Sequence, residues 1–367
     1  MKFIDLDYQQ NKIRGEIDEA IKKVLDHKLF IMGPEVSQLE ERLSKFVGVK
    51  HCISVSNGTD ALLIAMMSLG IKAGDEVITT PFTFVSTSEA IVMLGARPVY
   101  VDIDPETYNI DPTKIERAIT NKTKLILPVS LYGQCSEMEQ INQIASKFGL
   151  PVVEDAAQSF GATYNNIRSC ALSSFGCTSF FPSKPLGCYG DGGALFTNSD
   201  DLALIAKEVR SHGQEKRYHH TRIGVNGRLD TIQAAILLVK MNIFEDEITF
   251  RKEIGERYSK LFNECCPDDI ITPFIGSKNE SVYGQYTIQV SDRDYLMSSL
   301  KSFNIPTSVH YPLGINKQPA FATNEFDLKI SDSISKRVVS LPMHPYLKEN
   351  DQEEVVEKCT KIIKGKI

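Results

Sequence analysis

The sequence predicts an α/β protein: a large unit built on a mostly parallel sheet with helices over both faces, followed by a smaller α+β unit. Three observations predict this. Apolar runs of strand length alternate with helical segments up to Met241. Beyond Met241 the pattern changes to a long charged helix and a few short strands. A chain of 367 residues with 42% hydrophobic content is also long enough for one sizeable core and a smaller second one. The expected division is 1–242 for the large unit with an N-terminal helical arm, and 243–367 for the small unit.

Taken in order, the arm carries apolar residues at helical spacing (Ile13, Ile17, Ala20, Ile21, Val24), a stripe expected to pack across a domain or subunit boundary. Strands are expected at 51–55, 76–80, 98–102, 124–129, 151–154, 174–180 and 193–197, where β-branched and aromatic residues cluster between turn formers. Helices are expected between them at 59–69 and 136–148, and after them at 230–241. A charged helix at 243–263 then leads through Cys-Cys-Pro-Asp-Asp into strands around 281–290 and 307–311.

Candidate chemistry sits at the junctions of these elements. Ser56-Asn-Gly58-Thr59-Asp follows one strand and opens an apolar helix, so backbone N–H groups, a hydroxyl and the positive helix end could receive a phosphate at Gly58 and Thr59. An ordinary N-cap turn uses the same residues. Asp155 closes the run Leu-Pro-Val-Val-Glu, at the carboxyl edge of a strand where open α/β sheets bind ligands; a helix-capping aspartate is the plainer alternative. Gln158 is three residues on. Lys184 stands in Ser179-Phe-Phe-Pro-Ser-Lys-Pro-Leu-Gly, within a segment rich in proline and glycine, which makes it a poor candidate for one more solvated surface charge. A fixed lysine and a strand-end acid are what an enzyme needs to hold pyridoxal phosphate as a Schiff base and keep its ring nitrogen protonated. Ser179 is a natural second phosphate ligand; Gln158 could reach the phenolic oxygen or equally serve as a capping glutamine.

The segment from His212 to Arg228 concentrates positive charge in an otherwise acidic chain. It is either a solvated loop or a funnel for an anionic substrate. Arg228 has the planar fork suited to a carboxylate, and His310 and Tyr311 are further candidates for that substrate pocket. Asp102-Ile-Asp104 before Pro-Glu-Thr offers a rival reading as the metal pair of a metal-dependent glycosyltransferase, against the turn-forming role two such aspartates usually have. No metal is expected.

Bulk properties narrow the classes. Lys+Arg 41 against Asp+Glu 47 gives a net charge of −6, which speaks against nonspecific nucleic-acid binding. The eight cysteines include no C-x-x-C pair, which fits a reducing cytoplasm better than a zinc ribbon or a disulfide framework. No signal peptide is visible at the N-terminus, and no run approaches the roughly 18 apolar residues of a membrane span. The expected location is cytoplasmic, without a membrane or nucleic-acid partner.

Read together, Ser56-Asn-Gly-Thr-Asp-Ala-Leu, Pro81-Phe-Thr-Phe84-Val, Glu154-Asp-Ala-Ala-Gln-Ser-Phe-Gly, Ser179-Phe-Phe-Pro-Ser-Lys, Gly190-Asp-Gly-Gly-Ala and Asn226-Gly-Arg-Leu-Asp-Thr-Ile-Gln-Ala-Ala resemble, in this order and over nearly the whole chain, the DegT/DnrJ/EryC1/StrS nucleotide-sugar aminotransferases. The resemblance implies a type I, aspartate aminotransferase-like fold and a homodimer whose active sites are completed by the partner subunit. It implies Lys184 as the Schiff-base lysine, Asp155 on the pyridine nitrogen, Gln158 near the phenolic oxygen, and Phe84 stacked on the ring. Gly58, Thr59, Ser179 and a partner-chain Asn226 would hold the phosphate. Some relatives that dehydrate sugars have histidine at the lysine position; this chain keeps Lys184, which favours transamination. The wording around Lys184, with Val-Ser-Leu-Tyr-Gly-Gln-Cys and Val-His-Tyr-Pro, is similar to members that move an amino group from L-glutamate to the 3-keto carbon of a UDP-linked N-acetylated hexuronic acid for surface polysaccharide assembly. Many relatives have Asn and Glu where this chain has Pro185 and Asp191. A different keto nucleotide sugar is the alternative substrate, and a cofactor-binding scaffold without transfer is the alternative outside catalysis.

Overall fold

The computed structural model describes residues 1–365. Seven strands build the central sheet: β1 (His51–Val55), β2 (Glu76–Thr79), β3 (Arg97–Tyr100), β4 (Thr123–Ile126), β5 (Val153–Asp155), β6 (Phe175–Ser179) and β7 (Gly193–Thr197). β3, β2 and β4 pair in parallel, as do β5 and β6, and parallel bridges Ile126–Val152 and Val129–Asp155 join the two groups. The spatial order is therefore β3-β2-β4-β5-β6-β7-β1. β7 alone runs against its neighbours, pairing antiparallel with both β6 and β1. The mostly parallel sheet expected from the sequence is present, with one reversed strand.

Both faces are buried, which is why these strands read as apolar runs instead of alternating ones. On one face Ile53, Val55, Val77, Leu125, Val153, Phe175 and Leu195 pack under α3 (Gly58–Ser68) and α6 (Asp200–Arg210). On the other, Cys52, Ala194 and Phe196 meet α2 (Pro34–Val47), α7 (Thr231–Lys240) and Phe160, while Ile78, Ile126 and Val152 meet α5 (Met138–Lys147). Strand alternation thus sends Val153 and Asp155 to the α3 face and Glu154 to the opposite one. There Glu154 is fully buried and accepts hydrogen bonds from Ser130 Oγ (2.7 Å), Ser169 Oγ (2.9 Å) and the Cys170 N–H (2.7 Å).

The arm is α1 (Leu6–His27), and its buried stripe of Ile13 and Ile17 lies on Ile236 and Val239 of α7. The charged helix expected after Met241 is α8 (Phe244–Cys265). Phe244 belongs to the large-sheet core, whereas Tyr258 and Phe262 belong to a second apolar cluster with β8 (Tyr286–Gln289), β9 (Val338–Leu341), α9 (Arg293–Ser302) and the C-terminal α11 (Glu349–Ile363), which follows the short α10 (Lys329–Ile334). The expected strand at 307–311 is not formed: only Ser308 bridges Ser340, since Pro306 and Pro312 bracket the segment and prolines cannot donate to a ladder.

Candidate active site

The carboxyl ends of the parallel strands open into a cavity of about 490 Å³. Its floor is set by two strand ends and one helix start. Asn57 caps α3, its Oδ1 accepting the Asp60 N–H at 2.8 Å, so that the amides of Gly58 and Thr59 are left facing the cavity mouth. Ser179, the last residue of β6, lies against Gly58 so closely that a Cβ on Gly58 would be 2.7 Å from Ser179 Cβ. Glycine lets the start of α3 approach the Ser179 side chain this closely.

Asp155 ends β5, and its backbone is held by Asp155 N–H to Pro128 O and Ser130 N–H to Asp155 O, each at 2.9 Å. Its side chain is 5% exposed. Oδ2 accepts from Thr87 Oγ1 at 2.8 Å and Oδ1 from the Ala157 N–H at 3.2 Å. Burial raises its pKa above the ordinary carboxylate value, while these two donors and the charge of Lys184 oppose that rise. Lys184 lines the same cavity from the turn after β6, where its N–H bonds Phe181 O at 2.9 Å. Burial holds its ammonium below the usual lysine value, partly offset by Asp155. The two charges face the cavity without forming an ion pair within 4.0 Å.

Gln158 accepts the Tyr132 N–H through Oε1 (3.0 Å) and donates through Nε2 to Tyr311 Oη (3.0 Å), leaving one amide hydrogen uncommitted. Phe84, the N-cap of α4 (Val85–Met93), is 54% exposed at the mouth, with its ring centroid 6.2 Å from that of Tyr311. His310 pairs Nδ1 with Ser340 Oγ at 2.8 Å. Its pKa is pushed down to about 4, first by burial and then by Lys184, so the ring is neutral at pH 7.

Lys184, Asp155, Gly58, Thr59, Phe84, Gln158, Ser179, His310 and Tyr311 therefore surround one cavity. Asn226 and Arg228 do not line it. They pair with each other, Arg228 Nη2 donating to Asn226 Oδ1 at 2.5 Å, on a segment pinned beside the start of α3 by the Ser56 N–H to Gly227 O bond of 2.9 Å. Arg228 Nε is buried without a partner. The rival aspartates are occupied: Asp102 accepts the N–H groups of Ile103, Ile330 and Ser331, and Asp104 those of Glu106 and Thr107. Sequence reasoning missed Asn57, Thr83, Thr87 and Gln285. The two threonines carried a faint signal, an i,i+4 pair of hydroxyls at the start of a helix.

Among the described residues no helix is long and apolar enough to cross a membrane. The DegT/DnrJ/EryC1/StrS aminotransferase family model matches residues 11–360. A Pseudomonas aeruginosa protein named UDP-2-acetamido-2-deoxy-3-oxo-D-glucuronate aminotransferase is 57% identical over 347 residues, covering 95% of this chain and 96% of that one. Two solved structures superpose closely. A DegT DnrJ EryC1 StrS aminotransferase from Brucella abortus gives a TM-score of 0.95 at 40% identity over 99% of both chains. NtdA from Bacillus subtilis, with bound cofactor PMP, gives 0.91 at 32% identity, covering 99% of this chain and 83% of that one. The chain belongs to the DegT/DnrJ/EryC1/StrS aminotransferase family and has the type I aminotransferase fold expected from its sequence.

Proposed function

We propose that this protein transfers an amino group from L-glutamate to the 3-keto carbon of a UDP-linked N-acetylated hexuronic acid, with pyridoxal phosphate as cofactor. The observation that carries the reading is that Lys184 and Asp155 face one cavity without touching each other, next to a glycine-floored anion cup. The residues fit the cofactor: Lys184 and Asp155 would flank a planar ring, Gly58, Thr59 and Ser179 would hold its phosphate, and Phe84 would stack on its face. The 57% identity to the P. aeruginosa enzyme supports the substrate.

When bound, pyridoxal phosphate supplies an aldehyde and an electron-withdrawing ring that makes the carbon bearing the amine acidic. Asp155 would hold a negative charge near the ring nitrogen. The amine of Lys184, with its lowered pKa, takes the Cα proton of glutamate in the first half-reaction and delivers a proton to C3 of the sugar in the second. His310, neutral at pH 7 and hydrogen-bonded through Nδ1 to Ser340 Oγ, would meet the substrate as an uncharged hydrogen-bonding group. Arg228, which lies outside this chain's own cavity, would pair with the uronate carboxylate held in a partner subunit's site. Asn226 would complete the phosphate cup of a partner subunit in a homodimer, a role that suits its position outside this chain's own cavity. Leu29, Phe30, Ile31 and Met32, exposed together after α1, suit a subunit contact of this kind. In this reading 1–242 holds the cofactor and 243–367 brings His310 and Tyr311 to the substrate.

The test supplies UDP-3-oxo, UDP-4-oxo and free keto sugars with glutamate and follows nitrogen into product. Transfer to the UDP-3-oxo uronate is expected. Preference for a 4-oxo sugar overturns the substrate, and no transfer to any of them overturns the activity. Lys184→Ala should abolish the visible absorption of the purified protein once free cofactor is removed; equal absorption in both proteins removes Lys184 from the mechanism.

A further inference from the structure

We propose that Thr87 is a positioning residue for Asp155, itself held by a hydrogen bond from Thr83. The proposal rests on the reading of Asp155 as the acid opposite the cofactor's ring nitrogen. Thr87 is fully buried in the first turn of α4, sixty-eight residues from Asp155 in sequence, and its Oγ1 lies 2.8 Å from Asp155 Oδ2. Thr83 Oγ1, 2% exposed, lies 3.0 Å from Thr87 Oγ1.

The proton order in this chain has one solution. An ionised carboxylate only accepts, so the single hydroxyl hydrogen of Thr87 goes to Asp155. Thr87 Oγ1 must then accept from Thr83, which spends the single hydrogen of Thr83. Thr83 lines the cavity and is left there with acceptor capacity only. Two donors on different elements therefore grip the carboxylate, Thr87 on Oδ2 and the Ala157 N–H on Oδ1. With Thr87 removed, the remaining 3.2 Å bond leaves the carboxylate plane free to turn about its terminal torsion. The hydroxyl also favours the ionised acid against a buried site that opposes it.

The experiment compares Thr87→Val, which keeps the shape and loses the hydroxyl, with Thr87→Ser, which keeps it. Cofactor-free protein is titrated with pyridoxal phosphate by visible absorption from pH 5 to 8, and Asp155→Asn serves as the reference. Thr87→Val should bind at least about tenfold more weakly, the loss of one hydrogen bond to a charged group. The acid limb of its binding curve should also move to higher pH, because an acid that loses a donor holds its proton longer. Thr87→Ser should restore both. A structural role alone would weaken binding equally at every pH, and that result overturns the proposal. Wild-type affinity in Thr87→Val, alongside weak binding in Asp155→Asn, overturns it too. Undiminished binding in Asp155→Asn instead overturns the reading of Asp155. If Thr87→Val does not fold, Thr87→Ala is titrated in its place, and an unshifted acid limb there refutes the proposal.

Discussion

Gly58→Ala isolates the anion cup from the rest of the site. The added Cβ would stand 2.7 Å from Ser179 Cβ and 3.2 Å from Ser179 Oγ. Carbon atoms pack no closer than about 3.5 Å, so the start of α3 and the end of β6 must separate by roughly 0.8 Å. Overpacking of this kind costs about 1–3 kcal/mol, and exchanging glycine for alanine in a helix returns up to about 1 kcal/mol. The fold should therefore survive with a modest loss. The cup should not, since a shift of that size takes the Ser179 hydroxyl out of line with the α3 amides. One hydrogen bond to a charged phosphate is worth about 1.5–3 kcal/mol, or roughly 10- to 150-fold in Kd. The assay titrates cofactor-free wild type and variant with pyridoxal phosphate and, in parallel, with pyridoxal, which lacks the phosphate. Weakening confined to the phosphorylated ligand is expected. Unchanged affinity, or equal loss for both ligands, refutes the cup.

Three further outcomes follow from burial and charge. His344 is 5% exposed, and burial pushes its pKa from 6.5 to about 4, so its contribution to stability is present above pH 6.5 and is lost as pH falls towards 4. Between pH 7 and pH 5 this amounts to about 2 kcal/mol, or about 2–3 °C in Tm for a chain of this size; His344→Gln should lose correspondingly less over that interval, and parallel curves would contradict the assignment. Phe160, 1% exposed and stacked on Phe196 and Phe244 at 5.8 and 5.7 Å, should cost about 3–5 kcal/mol when changed to alanine, read as a lower urea midpoint. Arg228→Ala should slow turnover of a UDP-uronate far more than that of a neutral UDP-hexose, and equal slowing of both removes its role with the carboxylate.

Much of the site was legible because its residues sit where local chemistry marks them. Asp155 follows a continuous apolar strand, Gly58 and Thr59 open a capped helix, and Lys184 is framed by prolines and glycines, signals that need no knowledge of distant contacts. The expected strands at 51–55 and 193–197 match β1 and β7 for the same reason. The reversal of β7 was not legible, since its apolar run reads alike in either direction and only pairing with β1 and β6 decides it.

By itself, then, the sequence determined the alternation of elements and the two faces of burial and marked Lys184, Asp155, Gly58 and Thr59 as candidates, all of which depends on periodicity and neighbours within a few residues. Tertiary structure decided what those groups touch. It closed Asp155 onto Thr87, gave both ends of the Gln158 amide to Tyr132 and Tyr311, stripped the charge from His310, and left Asn226 and Arg228 outside the chain's own cavity. Hydrogen-bond partners and desolvation are properties of places brought together by folding, and no local pattern encodes them.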